Sequence, residues 1–277
     1  LAVPAYLRVI PEDGLAPIYN LFDRTGKGAF YSQRVSRSTC RDFRGKRLTY
    51  DEHDGVDFVC PIGTPLVAAA PGICVFLRSR FLRGGLTVGI DHGKGFVTQY
   101  THCARSLVEL GAHVRRGQPI ALSGASGIDL LQFFPWVPPH VHFLVSHRGR
   151  PQDPFRKTGE GALGATWWRS NAPSTPTGYE ADPDPSPSPV DEGALESAID
   201  SCESPELRAL FGRLSGNLPA LAATVEDALH HQREAWSFCG PAGIRPPSVG
   251  GELRLTLPLC PSTYRGARFS DTGAVAE

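Results

Sequence analysis

Four short segments carry side chains able to hold a metal ion: His53-Asp54-Gly55-Val56-Asp57, Tyr100-Thr101-His102, His140-Val141-His142 and Gln152-Asp153-Pro154. The first offers an imidazole and a carboxylate, and the third offers two imidazoles at i and i+2. Zinc accepts both donor types, and a catalytic zinc site keeps three protein ligands and one open position. The chemistry expected of such a set is hydrolysis. No Glu sits inside a helical His-Glu-x-x-His pair, so a histidine must handle the protons.

The elements that position these side chains read as strands. Residues i and i+2 of a strand share a face, so His140 and His142 project together while Val141 and Phe143 point the other way. Pro138 and Pro139 block helix entry, and Val141, Phe143 and Val145 favour extended chain. Gly55 and Pro61 argue against a helix through His53 and Asp57, and Val56, Phe58 and Val59 suit a strand. Both segments are therefore expected to be strands that meet at one metal.

These segments resemble the lysostaphin and LytM type zinc endopeptidases. The resemblance runs through His53, Gly55 and Asp57, then Gly63-Thr64-Pro65-Leu66-Val67-Ala68-Ala69-Ala70-Pro71-Gly72 and His92-Gly93-Lys94-Gly95-Phe96. It continues through Tyr100-Thr101-His102, Val114-Arg115-Arg116-Gly117-Gln118 and His140-Val141-His142-Phe143. It implies a mainly β fold, an antiparallel sheet of the duplicated-hybrid-motif type; the small helical C-terminal extension lies beyond the resemblance and is read from apolar residues at helical spacing. The resemblance also implies that His53, Asp57 and His142 ligate Zn2+, while His102 and His140 are unligated catalytic histidines. The substrate it implies is the peptide part of bacterial peptidoglycan. Thr101 and Leu144 depart from the family, which often has Gly and an acidic residue there. So does the apolar run Gly127 to Val137, which is either a packed loop or, through Phe133, Phe134 and Trp136, a wall of the substrate groove.

The remaining histidines read as structural: His92 in a turn, His113 and His147 at the surface or an edge, His230 and His231 in a C-terminal helix where neighbouring side chains diverge. Gly84, Gly85, Gly93 and Gly95 read as hairpin turns, because no Gly-Lys-Ser/Thr follows them.

Lysine and arginine number 28, matched by 28 acidic residues, so no basic field argues for nucleic acid. No apolar run is long enough to span a bilayer. The seven cysteines form no Cys-x-x-Cys pair, which argues against a structural zinc site, and Cys202 with Cys239 could clip the helical stretch. The chain has no methionine, so its start is read as following removal of a signal peptide, with a periplasmic or extracellular location expected.

Residues 1–45 read as a lead-in with a strand over Ala5 to Ile10, and residues 46–160 as the zinc endopeptidase domain. Residues 161–190 form a Pro-rich linker. Residues 191–277 hold helices over Asp191 to Ser201, Pro205 to Leu214 and Leu218 to Trp236, then a strand over Glu252 to Leu257. Two other functions fit the same residues: a silent or latent member that binds cell wall and activates an amidase, and a secreted protease for Gly-rich proteins.

Overall fold

The computed structural model describes residues 1–20, 22, 53–81, 84–128, 134–155, 175, 182, 184–230, 243–248 and 253–269. Its centre is a mixed, largely antiparallel sheet. In chain order the strands are β1 (Leu15–Asn20), β2 (Val56–Val59), β3 (Pro65–Val67), β4 (Gly72–Arg80), β5 (Gly85–Asp91), β6 (Phe96–Ser106), β7 (His113–Val114), β8 (Pro119–Ser123), β9 (His140–His147), β10 (Arg150–Gln152) and β11 (Gly266–Phe269). They lie in the order β11-β1-β2-β9-β6-β5-β4-β7, with β10 on β9 and β8 joining β3 to β6.

Alternation sorts the side chains onto two faces. Val56, Phe58, Val88, Ile90, Tyr100, Val141, Phe143 and Val145 enter the main core. The opposite face carries Asp57, His140, His142, Leu144 and Ser146. Register places Asp57 opposite His142 and Val59 opposite His140, and Thr101 opposite His142 with Gln99 opposite Leu144.

Among the described residues three helices follow the Pro-rich segment: α2 (Glu192–Asp200), α3 (Pro205–Leu214) and α4 (Leu218–His230). Their starts are coded locally. The Asp191 side chain accepts from the Ala194 amide, and Ser204 accepts from the Leu207 amide ahead of Pro205 in the first turn, both N-cap arrangements. The helices share a core of Leu195, Phe211, Leu221, Val225 and Leu229. Through Ala223, α4 also packs on Val75, Phe76 and Val97 of the sheet. It therefore covers part of the face that bears the histidines: Leu144, Ser146, Gln99, Ala223, Glu226 and Asp227 line one small cavity.

Polar clamps hold this arrangement. The Ser188 amide and hydroxyl donate to the two oxygens of Asp91 at 2.8 and 2.5 Å. Arg245, fully buried, donates to both oxygens of Glu226 at 2.9 and 2.8 Å and to the carbonyl of Ser188 at 3.0 Å. Asp227 pairs with Arg78 of β4 and accepts from Gln99 of β6 at 3.3 Å.

Several expectations change. Ala5 to Ile10 is no strand; the chain starts with the short helix α1 (Ala2–Tyr6), whose first turn tolerates Pro4, and the first strand comes at Leu15. His53 lies ahead of β2, so only Asp57 of that pair stands on a strand. His147 is buried, not superficial: β10 folds back on it and the Phe96 ring lies 4.3 Å from its own. The tail pairs with the sheet beyond the strand expected over Glu252 to Leu257. Residues 253–258 form no ladder, yet the Thr256 amide donates to the Ala69 carbonyl at 2.8 Å, Leu259 bridges Leu66, and β11 pairs with β1 in parallel. The continuation of α4 to Trp236, together with Cys239, His231 and Phe133, lies outside the described residues.

Candidate metal centre

Asp57 and His142 face each other as direct partners on β2 and β9, which brings their Cβ atoms close. His53 reaches the same point from the turn before β2. Three donor atoms converge there: His142 Nδ1 lies 2.9 Å from His53 Nε2 and 3.0 Å from Asp57 Oδ1, and His53 Nε2 lies 3.0 Å from Asp57 Oδ1. Among the described residues these three form the group able to hold a metal ion.

The donor set fits zinc. Bonds of about 2.0–2.2 Å at tetrahedral angles separate ligand atoms by roughly 3.3 Å, a few tenths more than this triangle. Charge favours a cation as well. Burial alone would raise the Asp57 pKa, but the neighbouring His53 and His140, with hydrogen bonds from His142 and His53, hold its carboxyl well below the usual range. Burial works against a charged His142, yet its contacts with Asp54 and Asp57 raise it to about 10. The carboxylates of Asp54 and Asp57 thus favour positive charge on the His142 ring.

His102 and His140 stand beside the triangle, with ring centroids 4.9 Å apart; His102 lies 6.3 Å from the ring of His142. A carbonyl oxygen only accepts, so the contact between His140 Nδ1 and the Pro138 carbonyl at 2.7 Å puts the proton on Nδ1. The same logic holds for His102 Nδ1 and the Ser126 carbonyl at 2.9 Å. Each ring is left with an unprotonated Nε2, and that of His140 lies 3.6 Å from Asp57 Oδ1. Burial lowers both pKa values, and for His102 the neighbouring His140 and His142 add to the effect and bring it to about 3. Both rings are neutral proton acceptors at neutral pH.

His102 reaches this face by a backbone irregularity. Thr101 opposes His142, so simple alternation would send His102 to the other side. Instead His102 has φ 63° and the β5·β6 ladder shifts register between Tyr100 and Cys103, a bulge that re-aims the side chain.

All five candidate residues, His53, Asp57, His102, His140 and His142, lie in one cluster. The Gln152-Asp153 segment does not join them: Asp153 Oδ1 accepts from the Phe155 amide at 2.8 Å, and Gln152 donates to the carbonyls of Arg150 and Pro151. His92 is structural, with Nδ1 2.8 Å from the Pro71 carbonyl and Nε2 2.7 Å from Thr98 Oγ1. Tyr19 was not anticipated. Its ring centroid lies 6.1 Å from that of His140, and only the pairing of β1 with β2 brings it there. Nothing local in the sequence marks it. On the loop before β9, Phe134 and Trp136 are 61% and 81% exposed, and Tyr6 of α1 stacks edge-on against Phe134 at 5.0 Å.

Residues 51–154 match the family model of peptidase family M23. The peptidoglycan DD-endopeptidase ShyA of Vibrio cholerae is 39% identical over 99 residues, which are 36% of this chain and 21% of that protein. ShyC of the same organism, also a peptidoglycan DD-endopeptidase, is 30% identical over 151 residues, 52% of this chain and 33% of that one. The chain thus spans about a fifth to a third of the length of these relatives. Among solved structures, the catalytic domain of lysostaphin from Staphylococcus simulans is 32% identical, covering 37% of this chain and 75% of that chain with a TM-score of 0.32.

Proposed function

Because residues 51–154 belong to peptidase family M23, we propose that this chain is a zinc-dependent endopeptidase. It hydrolyses peptide bonds in the stem peptides or cross-bridges of bacterial peptidoglycan, outside the cytoplasm. The observation that carries this reading is the triangle of His53 Nε2, Asp57 Oδ1 and His142 Nδ1, three donors aimed at one point with two neutral histidines beside it. The substrate class is supported by the peptidoglycan endopeptidases among the relatives.

In this reading His53, Asp57 and His142 hold the zinc. The bound ion supplies Lewis acidity and lowers the pKa of water from 15.7 to about 7. His102 and His140 do the proton work. Each keeps Nδ1–H anchored on a backbone carbonyl, which fixes the ring and leaves Nε2 to accept a proton from the nucleophile and return it to the leaving amine. Once protonated, either ring becomes a donor that stabilises negative charge developing on the substrate carbonyl oxygen. Burial of both rings excludes bulk water and strengthens these interactions. The domain boundaries at 45, 160 and 190 belong to the same proposal, with one amendment: residues 253–269 pack with the catalytic sheet.

The test pairs elemental analysis of the purified chain with release of peptides from purified sacculi, before and after chelation. One zinc per chain is expected, with release abolished by chelator and restored by zinc. A chain that retains no zinc would overturn the ligand assignment. Zinc without turnover would point to the latent or silent alternative, and cleavage of Gly-rich proteins in preference to sacculi would point to the general protease.

A further inference from the structure

We propose that Asp54 is a positioning residue that sets the ring of His142 for zinc, an inference that rests on the zinc reading above. His142 uses its two nitrogens in different directions. Nδ1 faces His53 and Asp57, whereas Nε2 lies 3.0 Å from Asp54 Oδ1. An imidazole that ligates through one nitrogen carries its proton on the other. A carboxylate facing that N–H fixes the tautomer, holds the ring plane and makes the ligating nitrogen a better donor.

The backbone of the same turn adds a second constraint. A Cβ placed on Gly55 would lie 2.9 Å from both Cε1 and Nε2 of His142 and 2.6 Å from the Phe143 carbonyl oxygen. The main chain therefore lies directly against the ring edge that Asp54 contacts, and only glycine leaves the ring where it is. His53, Asp54 and Gly55 thus act in sequence as a ligand, a brace for another ligand and the clearance that lets the brace reach it. Asp54 also stands at the rim, its side chain 33% exposed against 6% for Asp57. Its carboxylate is consequently removable without opening the core.

The experiment compares the full chain with its Asp54→Asn and Asp54→Ala variants. Zinc affinity is read by competition with a chromogenic chelator, and the melting midpoint of each zinc-free protein serves as the control for folding. Asp54→Ala is expected to weaken zinc binding about 10- to 100-fold, while the zinc-free protein stays folded and its midpoint falls only by what the partly exposed Asp54–His142 pair contributes. Asp54→Asn should fall between, because its amide oxygen still accepts from Nε2–H but carries no charge. The Nε2–H proton of His142 in the zinc-loaded protein provides a reading that a merely structural residue would not move. It should exchange slowly in the wild type and rapidly in Asp54→Ala. Zinc bound equally well by wild type and Asp54→Ala, with the Nε2–H signal unaltered, overturns this inference alone. A wild-type chain that binds no zinc overturns the zinc reading and this inference with it.

Discussion

Replacing Arg245 with Met tests whether the helical segment is an integral part of the domain. The substitution keeps an apolar stem of similar length and deletes the guanidinium. Glu226 then loses donors to both carboxylate oxygens, and the carbonyls of Ser188 and Pro189 lose theirs at 3.0 and 3.3 Å. Removing one member of a buried pair costs about 3–5 kcal/mol, because the remaining charge is left in a site without water. Burial already raises the Glu226 pKa, opposed chiefly by Arg245. Without Arg245 the carboxyl rises further and takes up a proton. A folded-state pKa raised above the unfolded value gives stability that is present below the unfolded pKa and lost as pH rises through the folded one. Arg245→Met should therefore lose more stability at pH 8 than at pH 5. Adding Glu226→Leu removes the stranded charge, so the double variant should recover part of the loss. Urea denaturation followed by circular dichroism at both pH values measures each quantity. If Arg245→Met unfolds at the wild-type urea concentration, or the double variant is no more stable than the single one, the clamp does not hold the helices as described.

Three further outcomes follow from the site and its supports. His102→Ala should retain one zinc per chain but lower kcat by about 10²- to 10⁴-fold; loss of the zinc would make His102 a ligand instead. His92, depressed to about 4 mainly by burial, gives stability that is present above its unfolded pKa near 6.5 and lost as pH falls through 4. The shift corresponds to about 3 kcal/mol, and His92→Gln should flatten the acid limb of a melting series by up to that amount. Replacing Phe134 and Trp136 with Ala should raise the Michaelis constant for peptidoglycan fragments and leave the melting temperature nearly unchanged, since both are exposed. A lowered melting temperature with an unaltered constant would make them packing residues.

Much of the site was legible before any coordinates. The i, i+2 spacing of His140 and His142 assigns them to one face wherever the strand lies, because side-chain alternation is a local property of extended chain. The helices beginning near Asp191 and at Pro205 were likewise readable, since the helical spacing of Leu207, Leu210, Phe211 and Leu214 is a local pattern and Pro suits a first turn. Partnership was not legible in this way. Asp57 and His142 stand 85 residues apart, and their pairing depends on the register between β2 and β9, which local pattern alone does not encode. The resemblance grouped these residues, but their distances and protonation come from packing. His102 goes against its own alternation, because a bulge in the β5·β6 ladder turns it toward His53, Asp57 and His142. Tyr19 joins His140, α4 settles on the histidine-bearing face, and the tail pairs with the sheet through β11 rather than through residues 253–258. Each depends on contacts between distant parts of the chain, whose formation is decided by which apolar surfaces and buried charges can be covered together. Sequence periodicity determined which side chains share a face, and only the tertiary structure decided which faces meet.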